Sequence, residues 1–235
     1  MFSYRNDPDA DGVGVAFCDA VGPDGSVLDL TLSDGRRSGD WKHVEAALGV
    51  QVRCAQQVHG VTVLRVGTDT DQRACGAQEA DALVTTARGL RVAVRVADCV
   101  PVLVGDPAAG VVAAAHAGRV GLTAGVLQAT LAAMRELGAT AVTAWIGPHI
   151  CGACYEVEPA LRDQVAAQLP GAASTTAWGT ASLDLGAGAA LLLEALGCQV
   201  RRHDPCTRTT PSLHSYRRDA LTAGRQAGVI WLPAR

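Results

Sequence analysis

Two histidines and one cysteine follow apolar segments of the chain, and their side chains can bind a metal ion. His59 precedes a glycine, Cys99 follows an acidic residue, and His116 opens the sequence His-Ala-Gly. Rigid scaffolds commonly present functional groups where strands lead into loops. Two imidazoles and one thiolate, with an open fourth position, are typical of a catalytic zinc site. The separations of 40 and 17 residues argue against a zinc finger.

The spacing around a turn predicts that two of these residues are neighbours. If residues 106–109 form a four-residue hairpin loop, counting back along both strands places Cys99 opposite His116. Directly opposed residues have Cβ atoms about 4.5–5.5 Å apart, which suits a shared metal ion. Pro101 requires a strand edge or a bulge, and either would shift this register.

Each of these residues also has other interpretations. A lone histidine after a strand is often a hydrogen-bonded structural residue, and a lone cysteine is often a small core residue. In a different enzyme class, His116 would activate Cys99 as a thiolate nucleophile for amide or ester hydrolysis without a metal. Asp98, beside Cys99, is a positioning residue, a general base, or a cap of the turn before Pro101.

Cys151 and Cys154 form a second candidate group, with the spacing of a zinc knuckle or a redox pair. No second pair has that spacing, and Cys198 and Cys206 lie too far apart in the sequence to form a matching half. We therefore expect both cysteines to be dispensable. Replacing both with serine should change turnover by no more than about a few-fold.

The elements that must position these residues mix hairpins with helices, which favours an α+β fold over a regular βαβ arrangement. We find no internal repeat, low-complexity tract or linker, so the sequence predicts one domain over residues 1–235. Alternation, apolar runs and turn residues predict strands at 12–17, 26–30, 50–58, 61–66, 91–96, 101–104, 111–115, 144–147 and 228–232. Caps and helical spacing predict helices at 38–48, 122–137, 159–169 and 184–196.

Composition excludes several classes of protein. Hydrophobic residues make up 49% and charged residues 18%, which excludes disorder as the main state. A net charge of −3 gives no reason to expect a nucleic-acid or membrane partner. No apolar run reaches the roughly 18 to 20 residues of a membrane span. The first nine residues lack the pattern of a signal peptide, so we expect a cytoplasmic protein whose eight cysteines are reduced.

Six short motifs occur in order between about residue 50 and the end of the chain. Together they resemble the multicopper polyphenol oxidoreductase (laccase-like) family, also described as the purine nucleoside phosphorylase family related to mammalian FAMIN. Each motif alone is weak, but six in order are very specific. The motifs are Gln57-Val58-His59-Gly60, Ala80-Asp81-Ala82-Leu83-Val84-Thr85, Ala97-Asp98-Cys99-Val100-Pro101, His116-Ala117-Gly118, Ile146-Gly147-Pro148 with Tyr155-Glu156-Val157, and Ser215-Tyr216-Arg217-Arg218 with Gly224-Arg225-Gln226.

The resemblance implies a zinc site at His59, Cys99 and His116, the residues already chosen. It implies phosphorolysis of adenosine, inosine and S-methyl-5'-thioadenosine, and deamination of adenosine. We therefore expect purine nucleosides and phosphate as partners, no nucleic acid or membrane, and a monomer or homodimer. It also implies a sandwich of mixed sheets flanked by helices, related to bacterial cysteine-hydrolase toxins. The laccase name implies copper, which a soft site can bind. The alternatives are a metal-free Cys/His hydrolase, a peptidoglycan-precursor editing factor and a copper polyphenol oxidase.

The chain departs from the family pattern after His116. The family usually reads His-Ala-Gly-Trp-Arg-Gly, whereas Arg119 directly follows the first glycine here. One step at a helix start turns a side chain by about 100°. Candidates for contact with substrate or phosphate are Arg119, Arg217, Arg225 and Asp81, the last with a turn role as its alternative. Arg218 lies either on a solvated face or at the phosphate.

Overall fold

The computed structural model describes residues 1–8, 12–33 and 36–234. Within these residues the strands are β1 (Phe2–Asn6), β2 (Gly14–Cys18), β3 (Leu32–Ser33), β4 (Arg36–Arg37), β5 (Val52–Arg53), β6 (Val63–Arg65), β7 (Ala82–Thr85), β8 (Arg91–Val96), β9 (Val100–Asp106), β10 (Val111–Ala117), β11 (Thr143–Ile146), β12 (Ala173–Thr175), β13 (Ala181–Leu183), β14 (Gln199–Arg202) and β15 (Gln226–Trp231).

The helices of the described residues lie between these strands. They are α1 (Trp41–Leu48), α2 (Gln72–Gly76), α3 (Arg119–Ala124), α4 (Val126–Glu136), α5 (Pro159–Gln168), α6 (Leu185–Ala195) and α7 (Tyr216–Asp219), followed by a 3-10 turn at Ala220–Thr222. None of them is both long enough and apolar enough to cross a membrane.

Two large mixed sheets form the centre of the fold. One sheet has the order β1-β2-β15-β8-β5 and the other has the order β14-β11-β9-β10-β7-β6. Side chains from both sheets, among them Phe17 and Leu103, form one shared buried cluster. Helix α1 packs Trp41 on the outer face of the first sheet, and helices α3, α4 and α6 cover the outer face of the second. The predicted α+β sandwich flanked by helices is therefore confirmed.

The long helix predicted at 122–137 is two helices in the structure. Gly125 has φ +102°, a left-handed conformation, and both caps α3 and precedes α4. Glycine adopts this conformation without steric cost, so the chain breaks where the apolar spacing alone predicts continuity. Of the strand predicted at 50–58, only β5 is observed. The strand predicted at 26–30 is reduced to an isolated β-bridge at Val27.

The hairpin between β9 and β10 has a different register from the predicted one. Asp106 pairs with Val111, so the loop is 107–110, and His116 pairs with Pro101 instead of Cys99. The carboxylate of Asp106 accepts hydrogen bonds from the backbone N–H groups of residues 109, 140 and 141, which favours the later turn. Cys99 therefore lies in the turn before β9, beyond the paired residues.

Candidate metal centre

The structure brings His59, Cys99 and His116 together where the two large sheets meet. Cys99 lies in the turn that carries the chain from β8 in one sheet to β9 in the other, and His116 is near the end of β10. One potential ligand atom from each of the three residues lies within 4.8 Å of the others. Cys99 Sγ is 3.8 Å from His59 Nε2. This donor set and spacing fit a single soft or borderline metal ion such as zinc.

Asp81 holds two of these residues in place. Its carboxylate accepts hydrogen bonds from the backbone N–H groups of Val58, His59 and Gly60, at 3.1, 2.9 and 2.7 Å. It also lies 2.8 Å from His116 Nδ1, which leaves Nε2 of that ring for a metal ion. Asp81 is fully buried and has these protein partners, which favours a positioning role over the direct substrate or phosphate contact expected from the sequence.

The ionisation of this pair suits metal binding. Burial lowers the pKa of His116, although the hydrogen bond to Asp81 opposes the shift. The imidazole is therefore neutral near pH 7, which is the form that binds metals. Burial acts to raise the pKa of Asp81, but hydrogen bonds from His116 and from backbone N–H groups hold it below its usual value. The carboxylate stays charged and orients the neutral ring.

Backbone strain is concentrated at this site. His59 has φ +60° and Asp98 has φ +91°, and both lie in a region that residues other than glycine seldom adopt. Strained conformations persist where surrounding contacts hold them, often at functional sites. Asp81 holds the loop at His59 through the hydrogen bonds already described. The strain therefore marks the two turns that present His59 and Cys99.

Asp98 connects the centre to the C-terminal part of the chain. Its Oδ1 accepts a hydrogen bond from Thr207 Oγ1 at 2.6 Å, and its Oδ2 accepts one from the backbone N–H of Arg217 at 2.6 Å. Both carboxylate oxygens therefore have protein partners. Of the roles expected for Asp98, this geometry favours positioning over general base.

The thiol of Cys99 is a weak nucleophile in the absence of a cation. Burial and the neighbouring Asp98 raise its pKa to about 12. A protonated thiol is neither the nucleophilic nor the metal-binding form, whereas a bound cation stabilises the thiolate. Without a cation, this environment therefore disfavours the thiolate that the metal-free hydrolase considered from the sequence would need.

The candidate centre opens into a cavity of about 640 Å³. Arg119, Arg217 and Arg225 line it as the sequence predicts, and so does Asp98. Arg217 Nη1 donates to the carbonyl oxygen of Glu156, and Arg225 Nη1 donates to two nearby carbonyls. Across the described ranges, the guanidinium of Arg119 has no hydrogen bond or ion pair to protein. Arg119 is therefore available for an anionic ligand.

Arg218 is placed differently from these three arginines. Its guanidinium donates to carbonyl oxygens of Thr207 and Leu213 and forms an ion pair with Asp219. It does not line the cavity. The contacts give Arg218 a structural role in holding the segment before α7, in place of the phosphate contact considered from the sequence.

The sequence prediction missed Arg95, which lines the same cavity. Arg95 is 9% exposed, and its two Nη groups donate to the carbonyl oxygens of Leu32 and Ala55, while its Nε has no hydrogen-bond partner among the described residues. Gln57 fixes the backbone at this point, because its amide exchanges hydrogen bonds of 2.7 and 2.8 Å with the main chain of Arg95. The available signal in the sequence was an arginine within the apolar strand β8. The period-two alternation of that strand predicts that Arg95 lies on its polar face, so the arginine was not taken as a site residue.

Gly118 allows close approach of the ligands. A Cβ at this position would lie 2.6 Å from His59 Cδ2 and 3.2 Å from Cys99 Sγ. Its φ of −71° is open to any residue, so a substitution acts through this contact and not through backbone strain.

We expect Gly118→Ala to weaken zinc binding by about tenfold or more, a loss comparable to disturbing the groups that orient a ligand. Competition with a chromophoric chelator measures the affinity. Gly39→Ala is the control, because a Cβ there meets no atom within 4 Å. Equal affinities in both variants would contradict the close packing around the centre.

A second group of metal-binding side chains forms away from the first. Cys151, Cys154 and Cys206 have Sγ atoms that all lie within 4.8 Å of one another. Cys206 enters through an isolated parallel bridge with His149. The sequence interpretation of Cys151 and Cys154 as a pair without a partner was therefore wrong, because the partner is a single cysteine from a distant segment.

Comparisons with known proteins agree with this architecture. The chain is 50% identical over 179 residues to "Purine nucleoside phosphorylase SCO2081" from Streptomyces coelicolor, covering 75% of this chain and 73% of the relative. It is 34% identical over 155 residues to "Adenosine deaminase RL5" from an unknown prokaryotic organism, covering 61% and 55%. The crystal structure of Neisseria meningitidis protein NMB0706 superposes with a TM-score of 0.81 and 30% identity, covering 98% of each chain.

The family assignment rests on most of the chain. The family model described as multi-copper polyphenol oxidoreductase laccase matches residues 38–233, which include the candidate centre and the three-cysteine cluster. Because the family model spans most of the chain and a relative is 50% identical in sequence, this chain belongs to the multi-copper polyphenol oxidoreductase laccase-like family.

Proposed function

We infer that this protein is a zinc-dependent purine nucleoside phosphorylase that uses adenosine, inosine and S-methyl-5'-thioadenosine and also deaminates adenosine. The observation that carries this inference is the convergence of His59, Cys99 and His116 beside a cavity of about 640 Å³. Cavities of about 300–1,000 Å³ are typical of small-molecule sites, and the volume of this cavity falls within that range. The names of the relatives supply the substrate class and both reactions.

His59, Cys99 and His116 would hold the zinc ion, which supplies Lewis-acid chemistry at the cavity wall. Asp81 fixes the ring of His116 and the loop of His59, so the ligands need little rearrangement. The two-histidine, one-cysteine set also suits copper, so metal analysis of protein purified without added metal decides between the two ions.

Two arginines supply charge for a phosphate. Arg119 has no protein partner for its guanidinium among the described residues. The buried Arg95 contributes its charge and an unpaired Nε, since its two Nη groups already donate to the carbonyl oxygens of Leu32 and Ala55. In phosphorolysis a phosphate oxygen bonds to the anomeric carbon, the glycosidic carbon–nitrogen bond breaks, and the purine leaves with a proton. Guanidinium groups bind phosphate oxygens through charge-assisted hydrogen bonds, and they can orient the anion for this attack.

Deamination would use the same pocket, with water attacking the purine ring instead of phosphate attacking the ribose. The water oxygen bonds to C6 of adenosine, the bond from C6 to the exocyclic nitrogen breaks, and ammonia leaves. Both reactions deliver an oxygen nucleophile to a bound purine nucleoside. Because the reacting atoms lie on the ribose and on the purine ring, one pocket with one metal site would bind the nucleoside in two orientations for the two activities in the relatives' names.

A nucleoside panel tests the proposal. Purified protein is incubated with each of the three nucleosides, with and without phosphate, and the products are separated by chromatography. We expect free base and sugar 1-phosphate only when phosphate is present. In the absence of phosphate, we expect inosine and ammonia from adenosine. The absence of both reactions in zinc-loaded protein would contradict the proposal and favour a binding or editing factor.

A further inference from the structure

We propose that Cys151, Cys154 and Cys206 bind a second zinc ion, separate from the candidate centre at His59, Cys99 and His116. Neither the proposed reactions nor the names of the relatives require this site. It is the other group of three potential ligands that the described residues bring together.

The spacing of the three sulfur atoms suits one tetrahedral ion. Zinc–sulfur bonds of about 2.3 Å place tetrahedral thiolates about 3.8 Å apart. The Sγ atoms of the cluster lie within 4.8 Å of one another, so a small contraction brings all three onto one ion. Cys151 and Cys206 are partly exposed, which leaves a fourth position open to water.

Backbone geometry prepares Cys151 and Cys154 for this role. The N–H groups of Cys154 and Tyr155 both donate to the carbonyl oxygen of Cys151 at 3.0 Å, which closes a tight turn between the two thiols. A Cβ on Gly152 would lie 2.5 Å from Ser174 Oγ, so the turn packs closely against its neighbours. The turn is therefore held before any ion binds.

Cys206 is fixed against this turn by one hydrogen bond to its sulfur and one from the neighbouring Thr207. The N–H of Cys151 donates to Cys206 Sγ at 3.4 Å, and the N–H of Thr207 donates to the carbonyl oxygen of His149 at 3.0 Å. A donor aimed at sulfur stabilises the thiolate that a zinc ion requires.

The charge of the surroundings also matches. Three thiolates and one Zn²⁺ carry a net charge of −1. Arg208 supplies a compensating positive charge, because its Nη1 lies 3.4 Å from the carbonyl oxygen of Cys154. Its guanidinium is stacked 4.9 Å from the ring centroid of Trp178, which holds it beside the cluster.

The ion would join two segments that form the wall of the cavity. Ile150 and Tyr155, on either side of the cysteine turn, line the cavity. Thr207, next to Cys206, donates to the Asp98 carboxylate beside the candidate centre. A zinc ion on the three cysteines is therefore a structural cross-link between residues 151–154 and residue 206, close to the cavity but not lining it.

Zinc stoichiometry in a set of variants tests this proposal without using activity. Protein is purified under reducing conditions without added metal, and zinc is measured per chain. We expect two ions in the wild type, one in Cys154→Ala, one in Cys99→Ala and none in the double variant. Cys198→Ala should keep two ions; it is a matched control, because Cys198 and Cys154 are both 7% exposed.

Cobalt substitution identifies the ligands independently. The thiolate-to-cobalt charge-transfer band grows with the number of cobalt–sulfur bonds. We expect Cys99→Ala to keep the intensity of three bonds and Cys154→Ala, after loss of the cluster ion, to keep that of one. Chelator should also lower the Tm of Cys99→Ala but leave that of the double variant unchanged.

Three results would overturn the proposal. One is a wild-type protein with a single zinc ion that Cys99→Ala loses. Another is copper in place of zinc in the Cys99→Ala protein. The last is a disulfide between two of the three cysteines in protein that was purified with reductant and that binds no second ion. Mass spectrometry would detect this disulfide. A wild-type protein that binds both ions but has no activity on nucleosides would contradict the proposed function and would not contradict the second zinc site.

Discussion

Cys99→Ala should lose the zinc ion of the candidate centre and nearly all nucleoside turnover while the protein stays folded. Removing a group that merely orients a metal ligand costs about 10–100-fold in affinity or activity. Removing the only sulfur of the two-histidine, one-cysteine set should therefore cost more than about a hundredfold. Zinc analysis and the rates of phosphorolysis and deamination measure both effects on one preparation.

The fold should tolerate this change because Cys99 is partly exposed in a turn and is not part of a buried apolar cluster. Circular dichroism and a Tm for the metal-free protein check this point. Cys198→Ala controls for removal of a thiol elsewhere, since Cys198 belongs to neither metal-binding group. Zinc content is compared between Cys154→Ala and the Cys99→Ala/Cys154→Ala double variant, which leaves only the candidate centre. A folded double variant with as much zinc as Cys154→Ala would overturn the ligand assignment.

The position of the candidate ligands could be predicted because each marks a local change in sequence pattern. His59 lies in the loop after β5, Cys99 lies in the turn after β8, and His116 is near the end of β10. The period-two pattern of β8 and the small apolar residues of β10 predict those strands closely. Local periodicity therefore indicates where a scaffold element ends, which is where these side chains are presented.

The contacts that join distant segments could not be predicted in the same way. Asp81 meets His116 across 35 residues, and Cys206 meets Cys151 across 55. Neither distance leaves a spacing rule in the sequence. The predicted register of β9 against β10 was wrong for a related reason. The Asp106 side chain accepts hydrogen bonds from the backbone of residues 140 and 141, which are distant in sequence, as well as from its own turn.

The arginines illustrate the same limit within one pocket. Sequence motifs indicate that Arg119, Arg217 and Arg225 belong to the site, and all three line the cavity. The structure separates them by their partners, since backbone carbonyls already accept hydrogen bonds from Arg217 and Arg225. A residue type predicts which contacts are chemically possible, and only the folded chain determines which of those contacts are already made within the protein.

Arg119→Ala should impair phosphorolysis far more than adenosine deamination, because only phosphorolysis must bind a free anion. A lost charge-assisted contact costs roughly 1.5–3 kcal/mol, which is about ten- to a hundredfold. The measurement is both rates on one preparation with the phosphate concentration varied. We expect the KM for phosphate to rise, while the rate of deamination changes by no more than about twofold.

Arg119→Lys tests whether charge or geometry carries this effect. Lysine keeps the positive charge but cannot form the planar two-point contact of a guanidinium with phosphate, so it should recover only part of the loss. Arg162→Ala is the control, because Arg162 lies outside the cavity and its guanidinium forms an ion pair with the neighbouring, exposed Asp163. An equal fall of both rates in Arg119→Ala would mean that Arg119 maintains the geometry of α3. No fall in either rate would move the phosphate contact to Arg95, Arg217 or Arg225, which line the same cavity.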